Sequence, residues 1–117
     1  MSYDIRLVDA AGETIELSEP HTLRGGTFAS GGTTEAWLNI TYNYARFYYD
    51  IWPEQGIRYL YGKTGADALP LLARAIAKLG CERSDNYWDD TSGNAGAALL
   101  DLAQLCSLCP DGVINGD

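Results

Sequence analysis

The chain of 117 residues is short of positive charge, of histidine and of long apolar runs, and each shortage closes off a class of function. Eight Lys and Arg stand against sixteen Asp and Glu, a formal net charge of −8. The eight cations are scattered, so nucleic acid is not an expected partner, because phosphate contacts need clustered Lys and Arg. No apolar run reaches the roughly 20 residues that span a bilayer, so no membrane partner is expected either. The opening MSYDIRLVD lacks a basic and then apolar leader, which gives the expectation of a cytoplasmic protein.

Cysteine is scarce and odd in number: Cys81, Cys106 and Cys109 do not make a disulfide framework. A zinc site needs about four ligands, and beside Cys106-x-x-Cys109 only Cys81 and the single His21 are left to supply them. Redox CxxC pairs gain their thiolate at a helix N-terminus, whereas this pair falls at a predicted helix end before Pro110. The cysteines therefore read as small buried hydrophobes, with no metal or cofactor implied. Catalysis is poorly served too. His21 has no nucleophile motif near it, no carboxylate pair has a telling spacing, and Glu35 or Asp50 would need burial alone to tune it as a base.

A hydrophobic fraction of 46% against 21% charged is that of a soluble globular protein, and the length has room for one domain, 1–117. Its centre of gravity is Arg24 to Tyr61, RGGTFASGGTTEAWLNITYNYARFYYDIWPEQGIRYLY, which holds both Phe, Trp37, Trp52 and most of the tyrosines. Such a density suits either an aromatic core or a surface that grips a ligand. Before it, Ile5, Leu7 and then Ile15, Leu17 alternate with polar residues around Ala10–Glu13, the pattern of a hairpin ended by Pro20. From Ala36 to Tyr44, Trp, Ile, Thr and Tyr favour a strand, with Trp37, Asn39, Thr41 and Asn43 on one face. A short helix over Ala45–Trp52 is stopped by Pro53 and Gly56.

Leu69, Leu72, Ala73, Ile76 and Leu79 then predict a helix over Ala66–Leu79, capped by Thr64 and closed by Gly80, with Pro70 in or near its first turn. A polar aromatic loop, Cys81–Gly93, leads to a last helix over about Asn94–Cys109, capped by Ser92 or Asn94. Val113-Ile114 adds a few strand residues. The expected fold is α+β: an antiparallel sheet from the N-terminal half covered by two C-terminal helices.

Three strings, RGGTFASGGTTEAWLNITYNY, YGKTGADALPLL and DNYWDDTSGNAGAALLDLAQLC-x-x-CPDGVINGD, resemble a family of small bacterial proteins found in phages and mobile elements. The likeness covers nearly the whole chain. It implies an accessory or counter-defence role and no particular chemistry.

The residues themselves point to a binding surface. Gly25-Gly26-Thr27 and Gly31-Gly32-Thr33 behind Arg24 form a candidate anion cradle, in which Thr27 and Thr33 donate hydroxyls and the guanidinium grips phosphate. Gly62-Lys63-Thr64-Gly65 lacks the upstream glycine of a P-loop and reads as a helix cap. The Trp37, Asn39, Thr41, Asn43 face offers an aromatic plane beside amides and a hydroxyl, suited to stacking a base or sugar. Glu35, Tyr59 and Trp88 complete the candidate ligand-binding set, and Asp89-Asp90 offers either a cation site or a helix cap. Two functions fit best. One is a non-catalytic module that sequesters a small phosphorylated or nucleotide-like ligand, as a homo-oligomer whose glycine loops close one pocket. The other is an acidic inhibitor or immunity-type protein that presents Tyr and Trp to a host protein; a small enzyme comes third.

Overall fold

A computed structural model describes residues 1–23 and 31–117. The alternation of the first strand is obeyed: in β1 (Ser2–Val8), Tyr3, Ile5 and Leu7 are buried while Asp4 and Arg6 are exposed. β1 is the central strand of an antiparallel sheet, with β4 (Trp37–Thr41) on one side and β5 (Val113–Gly116) on the other. Tyr3 faces Ile40, Ile5 faces Leu38 and Leu7 faces Ile114, which makes one side of the sheet continuously apolar. Residues directly opposite share a face. The outer side therefore carries Asp4 beside Asn39, and Arg6 between Trp37 and Asn115.

The hairpin expected at the N-terminus stops at its turn. Asp9 N–H donates to the Glu13 carbonyl, and Val8 and Thr14 form an isolated bridge. Beyond that point β2 (Glu16–His21) leaves β1 and pairs with β3 (Thr33–Glu35) as a separate two-stranded sheet. The parting is fixed by a ring of three backbone bonds: Leu7 N–H to Ala36 C=O (2.9 Å), Ala36 N–H to Ile15 C=O (2.9 Å) and Ile15 N–H to Leu7 C=O (3.0 Å). Pro20 lies inside β2 instead of ending it. A two-stranded sheet has only edges, and the register slips between Glu16 and His21, so the missing Pro20 N–H spoils no regular ladder. The third strand of the main sheet comes from the C-terminal residues, not from the N-terminal half.

The helices close over the apolar side. After a 3₁₀ turn at Tyr42–Tyr44 comes α1 (Ala45–Ile51), and a second 3₁₀ turn, Gly56–Leu60, leads to α2 (Gly65–Leu79). Thr64 caps α2 by accepting from Asp67 N–H at 3.1 Å, and Gly80 ends it at a φ of 77°. Pro70 falls beyond the first turn, so it costs the helix one i→i−4 bond. The buried line of α2 is Gly65, Ala68, Leu72 and Ala75, with Ala73 exposed. α3 (Ser92–Leu108) starts before the expected position because its cap is Thr91, whose Oγ1 accepts from Asn94 N–H at 3.1 Å.

α2 and α3 pack on each other and, with the sheet, enclose one core that includes Tyr44, Tyr48, Leu72, Leu99, Leu102 and Leu105. Each of these leucines is fully buried, worth about 1.5–3 kcal/mol apiece. The helix pair approaches so closely that a Cβ added to Gly96 would land on the Gly80 carbonyl, and one added to Gly65 would meet the Cys106 carbonyl. The architecture is thus α+β, an antiparallel sheet with the C-terminal helices packed on it.

The aromatic stretch divides between the two readings it allowed. Tyr44, Tyr48 and Trp52 belong to the core, whereas Tyr49 and Tyr59 are exposed. Among the described residues, no helix is long and apolar enough to cross a membrane.

Candidate functional site

The connection from α2 to α3 has no regular structure, yet it is tightly held. Asn94, in the first turn of α3, is 1% exposed and sits at its centre. Its Oδ1 accepts from Ser84 N–H (2.9 Å), and its Nδ2 faces Ser84 Oγ (2.9 Å), Asn86 C=O (3.1 Å) and Asp89 C=O (3.0 Å). From the other side, Asn43 Nδ2 donates to the Trp88 carbonyl at 2.9 Å and Tyr44 OH donates to the Tyr87 carbonyl. Arg46 reaches the Asp90 carboxylate at 3.2 Å. The backbone around Trp88 is therefore fixed from α1, from the 3₁₀ turn before it and from α3. The indole itself is 60% exposed, with its edge against Tyr87 at 4.7 Å between ring centres.

Beside this loop lies a cavity of about 570 Å³, lined by Asn39 of β4, Thr22 and Leu23, the loop residues Arg83, Ser84, Asp85, Tyr87 and Trp88, and Asn94 and Asp101 of α3. Its volume is in the range of small-molecule sites. Asp101 is buried and Arg83 Nη2 stands 3.3 Å from its Oδ1. The lining thus offers an indole, two amides, two aliphatic hydroxyls, a phenol, two carboxylates and one guanidinium. That set can stack a planar group and hydrogen-bond its edge.

Of the residues singled out from sequence, Asn39 and Trp88 meet in this cavity. Asn43 serves it indirectly through the Trp88 carbonyl. Thr41 does not share their exposed face: it is buried, because the chain turns there and its Oγ1 accepts from Asn43 N–H to start the 3₁₀ turn. Trp37 lines a second, smaller cavity of about 320 Å³ with Asp4, Arg6, Gly116 and Asp117. Asn39 stands between the two, since its Nδ2 donates to Asp4 Oδ1 and Ser2 Oγ, each at 2.7 Å.

The remaining candidates lie elsewhere. Thr33 and Glu35 sit on β3, where Thr33 Oγ1 accepts from Glu35 N–H at 3.1 Å and the Glu35 carbonyl contacts His21 Nε2 at 2.7 Å. Neither lines these two cavities. Tyr59 stacks on Trp52 at 6.1 Å, and Lys63 Nζ lies 4.5 Å from its ring centre. Arg24 and Thr27 lie outside the described residues.

Arg83, Ser84, Asp85, Asn94 and Asp101 escaped the sequence reading. One readable signal existed: Asp101 falls three residues after Ala98 and four before Leu105, so an acid interrupts the apolar stripe of α3. Asp89 and Asp90 are engaged in holding the loop. Asp89 accepts from Ser84 Oγ and Asn86 Nδ2, and Asp90 pairs with Arg46. Among the described residues, no three His, Cys, Asp or Glu side chains come together as a metal site. Burial pushes the Cys106 thiol up to about 12, with Cys109 adding to the effect, and burial also raises Cys109. Both are protonated thiols at neutral pH. Cys81 departs from the buried reading and is exposed.

No family model, no curated protein and no solved structure matches the chain.

Proposed function

We propose that the chain is a non-catalytic binding module that sequesters a small nucleotide-like ligand in the cavity between β4 and the 81–91 loop. The observation that carries this reading is the Trp88 presentation. A backbone held by side chains from several elements displays an indole that is 60% exposed at a cavity rim. An aromatic fixed in place but left in water is preorganised for a stacking partner, which lowers the entropy cost of binding. Trp88 stacks the base, Asp85 accepts from the N–H groups of its edge, and Arg83, whose side chain is 57% exposed beside Asp101, meets a phosphate oxygen. A counter-defence role would follow from removing such a ligand from a host signalling pool, in keeping with the family resemblance.

Native mass spectrometry of the protein taken from its host's lysate, repeated after denaturation, tests the reading. A small mass released on denaturation, and absent from Trp88→Ala, supports it. A Trp88→Ala protein that folds and still carries the same mass overturns the Trp88 assignment.

A protein-binding inhibitor is favoured by a different observation, the exposure of Leu100 and Leu108 on α3 of an acidic chain. That reading expects a co-purifying polypeptide whose association weakens with salt.

A further inference from the structure

Much of the polar lining of the Trp88 cavity is already spent inside the protein, and what remains is largely acceptor. Asn94 uses its whole amide on the loop: Oδ1 takes Ser84 N–H, and Nδ2 gives to acceptors within the loop. Asn39 gives its two amide N–H groups to Asp4 Oδ1 and Ser2 Oγ, which leaves its Oδ1 for the cavity. Asp101 is paired with Arg83. Asp85 differs from all of these. It lines the cavity three residues before Trp88, and among the described residues no hydrogen bond or ion pair engages its carboxylate. A carboxylate only accepts, and its two oxygens can take a pair of parallel N–H groups. The Thr22 hydroxyl both donates and accepts, so it does not decide between ligands.

Resting on the nucleotide-binding reading of this cavity, we propose that the base it takes is guanine and that Asp85 is the residue that selects it. Among the common bases, guanine carries two adjacent donors, N1–H and the N2 amino group, on the edge used for base pairing. With guanine stacked on Trp88, that edge gives one N–H to each Asp85 oxygen. The other amino N–H is left for an acceptor such as Asn39 Oδ1. Adenine and cytosine each set an amino group beside a bare ring nitrogen, so one carboxylate oxygen would meet a lone pair. Uracil sets its single N–H between two carbonyls, and their oxygens repel the carboxylate on both sides. A paired contact of this kind discriminates between bases by about tenfold or more in affinity.

Calorimetric titration of the full chain with the 5′-monophosphates of guanosine, inosine, adenosine, cytidine and uridine tests this. Inosine monophosphate keeps N1–H but lacks the N2 amino group. Guanosine monophosphate should bind about tenfold more tightly than the adenosine, cytidine and uridine compounds, with inosine monophosphate between. Asp85→Asn is an isosteric change at an exposed loop position. It exchanges one acceptor for a donor, which matches the adenine edge. It should weaken guanosine monophosphate about tenfold and turn the preference toward adenosine monophosphate, with the melting temperature kept. If another base binds as tightly as guanine and Trp88→Ala abolishes that binding, the guanine assignment is overturned while the Trp88 site stands. An unaltered guanine preference in folded Asp85→Asn overturns the role of Asp85. No saturable binding of any of the five overturns guanine selection together with the nucleotide reading beneath it.

Discussion

Replacing Asn94 with alanine should unlatch the loop that carries Trp88 without removing any contact of Trp88 itself. The Asn94 side chain makes one bond through Oδ1 and offers Nδ2 to three acceptors, at 2.9 to 3.1 Å. An amide has only two N–H protons, so the three acceptors share two bonds and the total is three. At about 1 kcal/mol net for each, the loss is about 3 kcal/mol. Water reaches the exposed side of the loop and recovers part of this, which gives roughly 2–3 kcal/mol. For a domain of this size that corresponds to a fall in Tm of roughly 10 °C. Asn94→Asp sharpens the argument. It keeps an acceptor for Ser84 N–H but cannot donate, and it aims a carboxylate at the Asn86 and Asp89 carbonyls, so it should cost more than alanine. Thermal melts followed by circular dichroism give the stability, and amide hydrogen exchange at Ser84 reports the latch directly. A melting point within about 2 °C of the parent, with the Ser84 amide still protected, would refute the view that Asn94 organises this loop.

Gly96→Ala should destabilise by about 1–3 kcal/mol, because its Cβ meets the Gly80 backbone carbonyl; denaturant unfolding measures it. Iodoacetamide at pH 8 should label Cys81 alone on the folded protein, and Cys106 and Cys109 only after denaturation, as read by peptide mass spectrometry. The same burial predicts a pH dependence. The folded state holds Cys106 as the neutral thiol up to about 12, whereas an unfolded thiol ionises near 8.5, so this stability is intact below about pH 8.5 and lost as pH rises toward 12. Cys106→Ala should flatten that alkaline slope.

Period-two alternation carried a large part of the fold. Leu38 and Ile40 reach the core and Trp37 and Asn39 the other face, as written in the chain. The pattern failed where it ended. Thr41 would continue outward by alternation, but the backbone turns into the 3₁₀ segment and the hydroxyl becomes a buried cap. Strand partners were less legible than strands. Nothing local in Ile15–Leu17 tells that its bonds run to β3 and Ala36, because that choice is made by residues distant in sequence. The Trp88 cavity was half legible for the same reason. A presented Trp and an amide could be named, but the Arg83–Asp101 pair spans 18 positions and exists only once α3 folds back on the loop.

β1 holds the middle of the main sheet although it is the first strand in the chain, and its β5 neighbour is formed by residues 113–116. During synthesis the ribosome delivers β1 long before β5. Until β5 follows, then, an apolar strand waits with one edge unmatched, a template for pairing with another nascent chain. Sheet completion waits for β5, and the long sequence separation makes that step slow relative to helix formation. Yield of folded protein should accordingly track chaperone supply and growth temperature more than the stability of the finished fold.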